Sequence, residues 1–94
     1  MNLQDIRIIK SDERGKIFDC GESNFISRKK GTISADHKHN DKEIIYLVEG
    51  EVELTIGSET QMIKAPVRFE IASDVYHKLL ALSDIKLIIN RADK

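Results

Sequence analysis

Apolar and polar residues alternate along much of the chain, and clusters of turn-forming residues interrupt the alternation at short intervals. Successive side chains of a strand point to opposite faces, so this period of two predicts strands with one buried face. Residues 51–56 are the clearest case, with Val52, Leu54 and Ile56 at alternate positions. No stretch keeps a helical period. Roughly eight or nine short strands at regular spacing predict an all-β sandwich or barrel.

Turn-forming residues predict where the early strands begin and end. The first strand is expected at residues 6–9 and the second at residues 16–20, with a turn at residues 11–15 between them. A third strand, residues 24–30, ends in a basic run that is typical of a solvated strand edge. The alternative is that Arg28 or Lys30 of this run contacts an anionic substrate at the mouth of the barrel.

Later strands are expected at residues 67–71, 75–82 and 85–89. Alternation predicts core positions in the first two of these strands. The predicted core residues are Val67, Phe69 and Ile71, followed by Val75, Leu79 and Ala81 around His77.

Residues 44–48 form a continuous apolar run of strand length. If Glu43 faces the interior, alternation places Ile44, Tyr46 and Val48 on the outer face. An exposed apolar surface of this kind requires cover, and a second subunit is the simplest cover. We therefore expect a homodimer.

Composition narrows the classes of function. The 94 residues are enough for one domain spanning residues 1–94, and the net charge of −1 with mixed signs argues against a nucleic-acid partner. The single cysteine, Cys20, excludes an internal disulfide and fits the reducing cytoplasm. Cys20 is expected to be a small core residue, the alternative being an extra ligand or a reactive thiol. No signal-peptide pattern and no apolar run of about 20 residues is present, so no membrane partner is expected.

Candidate chemistry is concentrated in residues 31–50. His37 and His39 are one residue apart, so on a strand both side chains point the same way and lie about 7 Å apart. A turn at residues 40–42 is expected to bring Glu43 back over the same point. Imidazole and carboxylate are ligands of first-row transition metals. The third histidine, His77, lies far away in sequence on another predicted strand.

Two other interpretations of these residues compete with a working metal site. A closed structural zinc site usually consists of close Cys/His pairs, which one cysteine does not provide. A histidine on a strand is most often only hydrogen-bonded or solvent-facing. Three imidazoles and one carboxylate would leave two positions open on an octahedral metal, which is the pattern of a working site.

The stretch from Gly31 to Gly50 resembles the first motif of the cupins, with His37, His39 and Glu43 at the motif positions. The second cupin motif is looser. His77 occupies the place of its histidine, whereas Pro66, Ala72, Asp74 and Ala81 replace the usual Gly, Pro, Gly and Asn. Asp74 can adopt the left-handed conformation that the usual glycine favours, so the turn is expected to survive.

The resemblance implies a cupin-type double-stranded β-helix, or jelly-roll barrel. It implies a divalent transition metal (Fe, Mn, Ni or Zn) held by His37, His39, Glu43 and His77, with a small-molecule ligand in the barrel. No catalytic or substrate-binding residue is predicted. The segment from Asp12 to Ile17 is also similar to the Asp-x-Arg-Gly segment of nucleotide-sugar epimerases and ketoisomerases of the superfamily. Its alternative interpretation is a charged turn.

Three functions remain open at this stage. The first is a metalloenzyme of isomerase or epimerase type that acts on a small sugar-like or keto acid substrate. The second is an iron-dependent dioxygenase, for which the same ligands serve. The third is a non-catalytic cupin that binds a metabolite, because a fold does not determine a function.

Overall fold

The computed structural model of the protein describes residues 1–37 and 41–92, with side chains at residues 1–34 and 41–90. The described residues form ten strands and no helix. Among them there is therefore no helix that could cross a bilayer. The strands are β1 (Ile8–Asp12), β2 (Gly15–Asp19), β3 (Ser23–Arg28), β4 (Ile33–His37), β5 (Lys42–Glu49), β6 (Glu51–Ile56), β7 (Glu59–Lys64), β8 (Val67–Ile71), β9 (His77–Ala81) and β10 (Ile85–Ala92). The prediction of an all-β chain is confirmed.

The strands are arranged in two antiparallel sheets. Sheet A has six strands in the order β1-β2-β3-β10-β5-β8, and sheet B has four in the order β4-β9-β6-β7. Consecutive strands β5 and β6 are in different sheets, and Gly50 turns the chain between them at a φ of 98°. A Cβ at Gly50 would lie 2.5 Å from the carbonyl oxygen of Asp84, so this crossing requires glycine.

Strand β5 shows why the alternation produces one buried face. Ile45 and Leu47 are fully buried, whereas Tyr46 and Val48 on the opposite face are 36% and 47% exposed. The predicted inward and outward positions of this strand are confirmed. The core combines inward residues of both sheets: Ile26, Ile45, Leu47, Val52, Leu54, Ile71, Leu79, Ala81, Ile85 and Leu87.

The first hairpin differs from the prediction. Strand β1 begins at Ile8 rather than at Ile6 and continues through Asp12, so the turn is shorter than residues 11–15. The Asp12 carboxylate accepts hydrogen bonds from the backbone N–H of Arg14 (2.9 Å) and from its guanidinium (3.2 Å). These bonds lower the pKa of Asp12, the backbone bond most. The Asp12 side chain therefore stabilises a tight turn between β1 and β2, which residue preferences for turns do not predict.

Two residues have burial opposite to that predicted. Arg28 was expected at a solvated edge, but β3 lies between β2 and β10, and Arg28 is only 7% exposed. Cys20 was expected in the core, but it is exposed. Strand β2 ends at Asp19, whose side chain accepts a hydrogen bond from the Gly21 N–H, so Cys20 lies in a turn.

Later strands also differ in their bounds. Strand β9 begins at His77 and not at Val75, after a turn in which Asp74 adopts a φ of 61°. The left-handed conformation predicted for Asp74 is thus confirmed. Val67, predicted in the core, is 36% exposed because β8 is an edge strand and Val67 is its first residue. Strand β10 extends past residue 89 because Lys42 and Glu43 of β5 pair with its last residues.

We predict that Leu47→Ala lowers the free energy of unfolding by about 2–5 kcal/mol, because Leu47 is fully buried on a central strand. The matched control is Met62→Ala, whose side chain is 68% exposed on β7. That change is expected to cost less than about 1 kcal/mol. Urea unfolding of both variants tests this. Equal losses would contradict the assignment of the core.

Candidate metal centre

Glu43 and His77 meet in the interior although they belong to different sheets. Glu43 is on β5 of sheet A and His77 begins β9 of sheet B. The Oε1 atom of Glu43 lies 3.5 Å from Nε2 of His77, and the two side chains are 3% and 1% exposed. The structure therefore brings together two of the four predicted ligands, which are 34 residues apart in sequence.

The inward row of β5 positions the carboxylate. Glu43 occupies the same face as Ile45 and Leu47, and its cross-strand partner on β8 is the fully buried Ile71. Alternation alone directs a charged group into the interior at this end of the strand. A buried carboxylate is costly unless another group compensates its charge.

His77 is held by the turn that precedes β9. Its Nδ1 atom lies 3.0 Å from the carbonyl oxygen of Val75, two residues earlier. Only a protonated Nδ1 can donate a hydrogen bond to a carbonyl oxygen. The other ring nitrogen, Nε2, is the atom that faces Glu43. A histidine held through one nitrogen in this way is typical of metal ligands, in which the outer hydrogen bond fixes the ring.

The remaining two predicted ligands are described only in part. The backbone of His37 pairs directly with that of His77, after a β-bulge that begins at Ser34. The side chain of His37 and all of His39 lie outside the described residues. Within the part of the chain that is described, no group of three or more metal-binding side chains occurs. The four-ligand set therefore remains a prediction.

The described pair fits a shared ion. Ligand atoms each about 2.0–2.2 Å from one metal lie about 2.8–3.6 Å apart at octahedral or tetrahedral angles. The 3.5 Å between Oε1 of Glu43 and Nε2 of His77 is in this range and is at the upper limit for a direct hydrogen bond. The donor set is one carboxylate and one oriented imidazole, which suits Fe, Mn, Ni or Zn.

A small cavity lies on β6 and β7 of sheet B, and β6 is the strand that pairs with the His77 strand. Its volume is about 70 Å³, and it is lined by Leu54, Ile56, Glu59 and Gln61. Ile56 pairs with His77 on one side and with Glu59 on the other, so Glu59 lies in the same cross-strand row as the histidine. Sequence analysis did not select Glu59 or Gln61. The pairing of β6 with β7 around Gly57 is the feature that could have related Glu59 and Gln61 to His77, because β6 also pairs with β9.

The chain belongs to the cupin family. The family described as "Cupin domain" matches residues 24–89, which include both motifs and the positions of all four predicted ligands. Comparison with curated proteins finds no match.

Solved structures show the same fold at low identity. An RmlC-like cupin from Shewanella frigidimarina matches with a TM-score of 0.79 and 20% identity, covering 92% of this chain and 82% of its own. The protein CapF, solved with the inhibitor 3-isopropenyl-tropolone, matches with a TM-score of 0.74 and 18% identity over 96% of this chain and 31% of its own. Salicylate 1,2-dioxygenase from Pseudoaminobacter salicylatoxidans has a TM-score of 0.69 and 20% identity. That match covers 73% of this chain and 20% of the dioxygenase. The predicted cupin-type barrel is confirmed as a fold class, built here from two sheets.

We predict that Nδ1 of His77 carries a proton in the metal-free protein, because it donates to the Val75 carbonyl oxygen. Long-range nitrogen–proton correlation spectra of ¹⁵N-labelled, chelator-treated protein distinguish the two ring nitrogens. His77→Ala identifies the signals. A bare Nδ1 with a protonated Nε2 would contradict the arrangement, since Nε2 would then lack the lone pair that a metal requires.

Proposed function

We propose that the protein is a metal-dependent cupin enzyme that acts on a small-molecule substrate. His37, His39, Glu43 and His77 would hold a divalent transition metal, Fe, Mn, Ni or Zn. The observation that carries the proposal is the buried Glu43–His77 pair, with 3.5 Å between its oxygen and nitrogen atoms.

The energetics of burial support a functional role for this pair. Placing a carboxylate and an imidazole in the core contributes less to stability than apolar residues of similar volume would. Such a pair is therefore more readily explained by chemistry than by folding. The register between β4 and β9 further supports the proposed set of four ligands, because the backbone of His37 is directly opposite that of His77.

The chain's own residues divide the work at such a centre. Glu43 supplies negative charge, the Val75 carbonyl holds His77 in one orientation, and Ile45 and Ile71 exclude water from the inner side. A bound metal would supply Lewis acidity, which polarises a carbonyl group or stabilises an enediolate. The cavity lined by Ile56 and Glu59 provides a position for a small substrate group.

Our first candidate reaction is an isomerisation or epimerisation of a small sugar-like or keto acid substrate. The likeness to the RmlC-like cupin, over 92% of this chain, supports it at the level of fold. The Asp12–Arg14 segment adds no support, because its side chains bond to each other in the first hairpin. That segment is explained by its structural role.

The second candidate is an iron-dependent dioxygenase. It is favoured by the likeness to salicylate 1,2-dioxygenase, of which one structure is in complex with gentisate. This chain spans only about a fifth of that enzyme, so the likeness concerns one cupin unit and not the whole protein. A non-catalytic cupin that binds a metabolite is the outcome if neither reaction is found.

Metal content tests the proposal first. Protein purified without chelator or affinity tag is expected to hold close to one metal per chain by elemental analysis. His37→Ala, His77→Ala and Glu43→Gln are each expected to lose most of it, because each removes a ligand. The control is Glu49→Gln, whose exposed side chain lies at the far end of the same strand. Absence of metal before and after reloading would overturn the metalloenzyme.

Turnover then separates the candidates. Oxygen uptake by the iron-loaded protein with simple diketones or aromatic hydroxy acids would select the dioxygenase. Conversion of sugar phosphates or nucleotide sugars without oxygen would select the isomerase. Saturable binding of such compounds without turnover would select the non-catalytic cupin. The Glu43→Gln variant serves as the negative control in each assay.

We also propose a homodimer that forms through the outer face of sheet A. One cross-strand row on this face is almost entirely apolar: Ile8, Phe18, Phe25, Ile88 and Tyr46. The rings of Phe18 and Phe25 stack with centroids 5.9 Å apart, beside a cavity of about 420 Å³. A contiguous apolar row on an outer sheet face is typical of an interface. A cytoplasmic location, where the exposed Cys20 stays reduced, is proposed with it.

Ile88→Lys is expected to convert the dimer to a monomer, because it places a charge in the middle of the apolar row. Sedimentation equilibrium measures the mass. Met62→Lys, on the exposed outer face of sheet B, is the matched control and should remain dimeric. A monomeric parent protein, or a dimer unaffected by Ile88→Lys, would exclude this interface.

A further inference from the structure

A third cavity lies at the end of sheet A opposite the candidate metal centre. It has a volume of about 300 Å³ and is bounded by the β1–β2 hairpin, the ends of β3 and β5 and the start of β10. At this end of β10, Ile85 pairs with Arg28. At the other end of β10, Arg91 pairs with Glu43. Six residues of strand separate the two points, which is about 20 Å. The cavity is therefore separate from Glu43 and His77.

Arg28 is the unusual residue of this cavity. Its side chain is on the inner face with Ile26 and is more than nine-tenths buried. The side-chain hydrogen bond that it makes within residues 1–37 and 41–92 runs from Nη1 to the neighbouring Ser27 carbonyl oxygen, at 3.1 Å. Among the residues that the structure describes, its Nε atom has no hydrogen-bond partner, and no carboxylate forms an ion pair with it. A buried cation without a counterion is costly.

The acidic groups around the cavity already have partners. Asp12 bonds to Arg14 at 3.2 Å, and Glu49 pairs with Lys86 at 3.2 Å. Asp84 accepts a hydrogen bond from a backbone N–H of the loop that follows β3, at 2.9 Å. None of these carboxylates forms an ion pair with the buried guanidinium, although the nearby charge of Asp12 does act on it.

The other charged side chains that line the cavity balance one another, three lysines against three carboxylates, so Arg28 leaves the lining with a net positive charge. Lys16 and Lys29 also line the cavity, and neither forms an ion pair within the described part of the chain. Gly15 is the direct cross-strand partner of Arg28, so β2 contributes no side chain at this point. Burial and then the nearby charge of Arg14 lower the pKa of Arg28, and the charge of Asp12 raises it by a smaller amount. A bound anion would act in the same direction as Asp12.

We infer that this cavity is a binding site for a small oxyanion, a carboxylate or phosphate group, which pairs with Arg28. The planar guanidinium presents a fork of N–H donors that matches both groups. A volume of about 300 Å³ is at the lower end for small-molecule sites, so the ligand is a small acid or one charged end of a metabolite. The site does not depend on the metal centre or on the reaction proposed above.

Nuclear magnetic resonance titration of the full chain tests the inference. Inorganic phosphate and succinate are the two probes, each added at constant ionic strength made up with chloride. We expect saturable shifts of the amide signals of Gly15, Ser27, Lys29 and Ile85. The signal of Ile71, which lies beside Glu43, is expected to stay in place. Tighter binding of phosphate identifies a phosphate site, and tighter binding of succinate a carboxylate site.

Variants separate a built site from general attraction to basic residues. Arg28→Met is expected to weaken binding at least about tenfold, because one charge-assisted contact is lost. Arg68→Met, an exposed arginine on β8, is the matched control and should bind as the parent does. If Arg28→Met does not fold by urea unfolding, Lys16→Gln and Lys29→Gln replace it, each with an expected loss of a few-fold.

Three results would overturn the inference. The first is the absence of saturable shifts with both probes. The second is equal shifts at lysines throughout the surface. The third is unchanged affinity in a folded Arg28→Met variant, or in both lysine variants when they are used.

Discussion

Burial of the inward row of β5 is the constraint on which the rest of the structure depends. Glu43, Ile45 and Leu47 project from one face of a strand held between β10 and β8. A slip of one residue in either pairing would expose both aliphatic side chains and turn the carboxylate outward. The same register that builds the core therefore also delivers Glu43 to His77, so stability and the candidate site share one cause.

The interior carries a buried charged group at each end of sheet A. Glu43 lies at one end beside an oriented imidazole, and Arg28 lies at the other beside carboxylates that bond elsewhere. Among the described side chains no carboxylate forms an ion pair with Arg28, and Glu43 lies 3.5 Å from His77. A cation beside Glu43 and an anion beside Arg28 would each relieve the cost of desolvation. Ligand binding at both ends would thus stabilise the fold.

The outer faces of the two sheets differ in chemistry. Sheet A exposes a continuous apolar row that includes the stacked rings of Phe18 and Phe25. Sheet B exposes polar pairs such as Thr55 and Thr60, whose hydroxyls are 3.0 Å apart. A partner that covers sheet A would leave sheet B in solvent, together with the cavity beside Glu59. Association through sheet A is therefore compatible with an open cavity beside Glu59.

Local pattern was sufficient for the faces of the strands, including the inward side chains of Glu43 and His77, and for the left-handed turn at Asp74. These depend on side-chain alternation and backbone preference, which neighbouring residues determine. Tertiary structure alone decided that Arg28 is buried, that Cys20 is exposed and how far β10 extends. A basic run at a strand end predicts that its side chains are exposed to solvent. Burial depends instead on which strands lie on either side, and those pairings can join residues far apart in sequence.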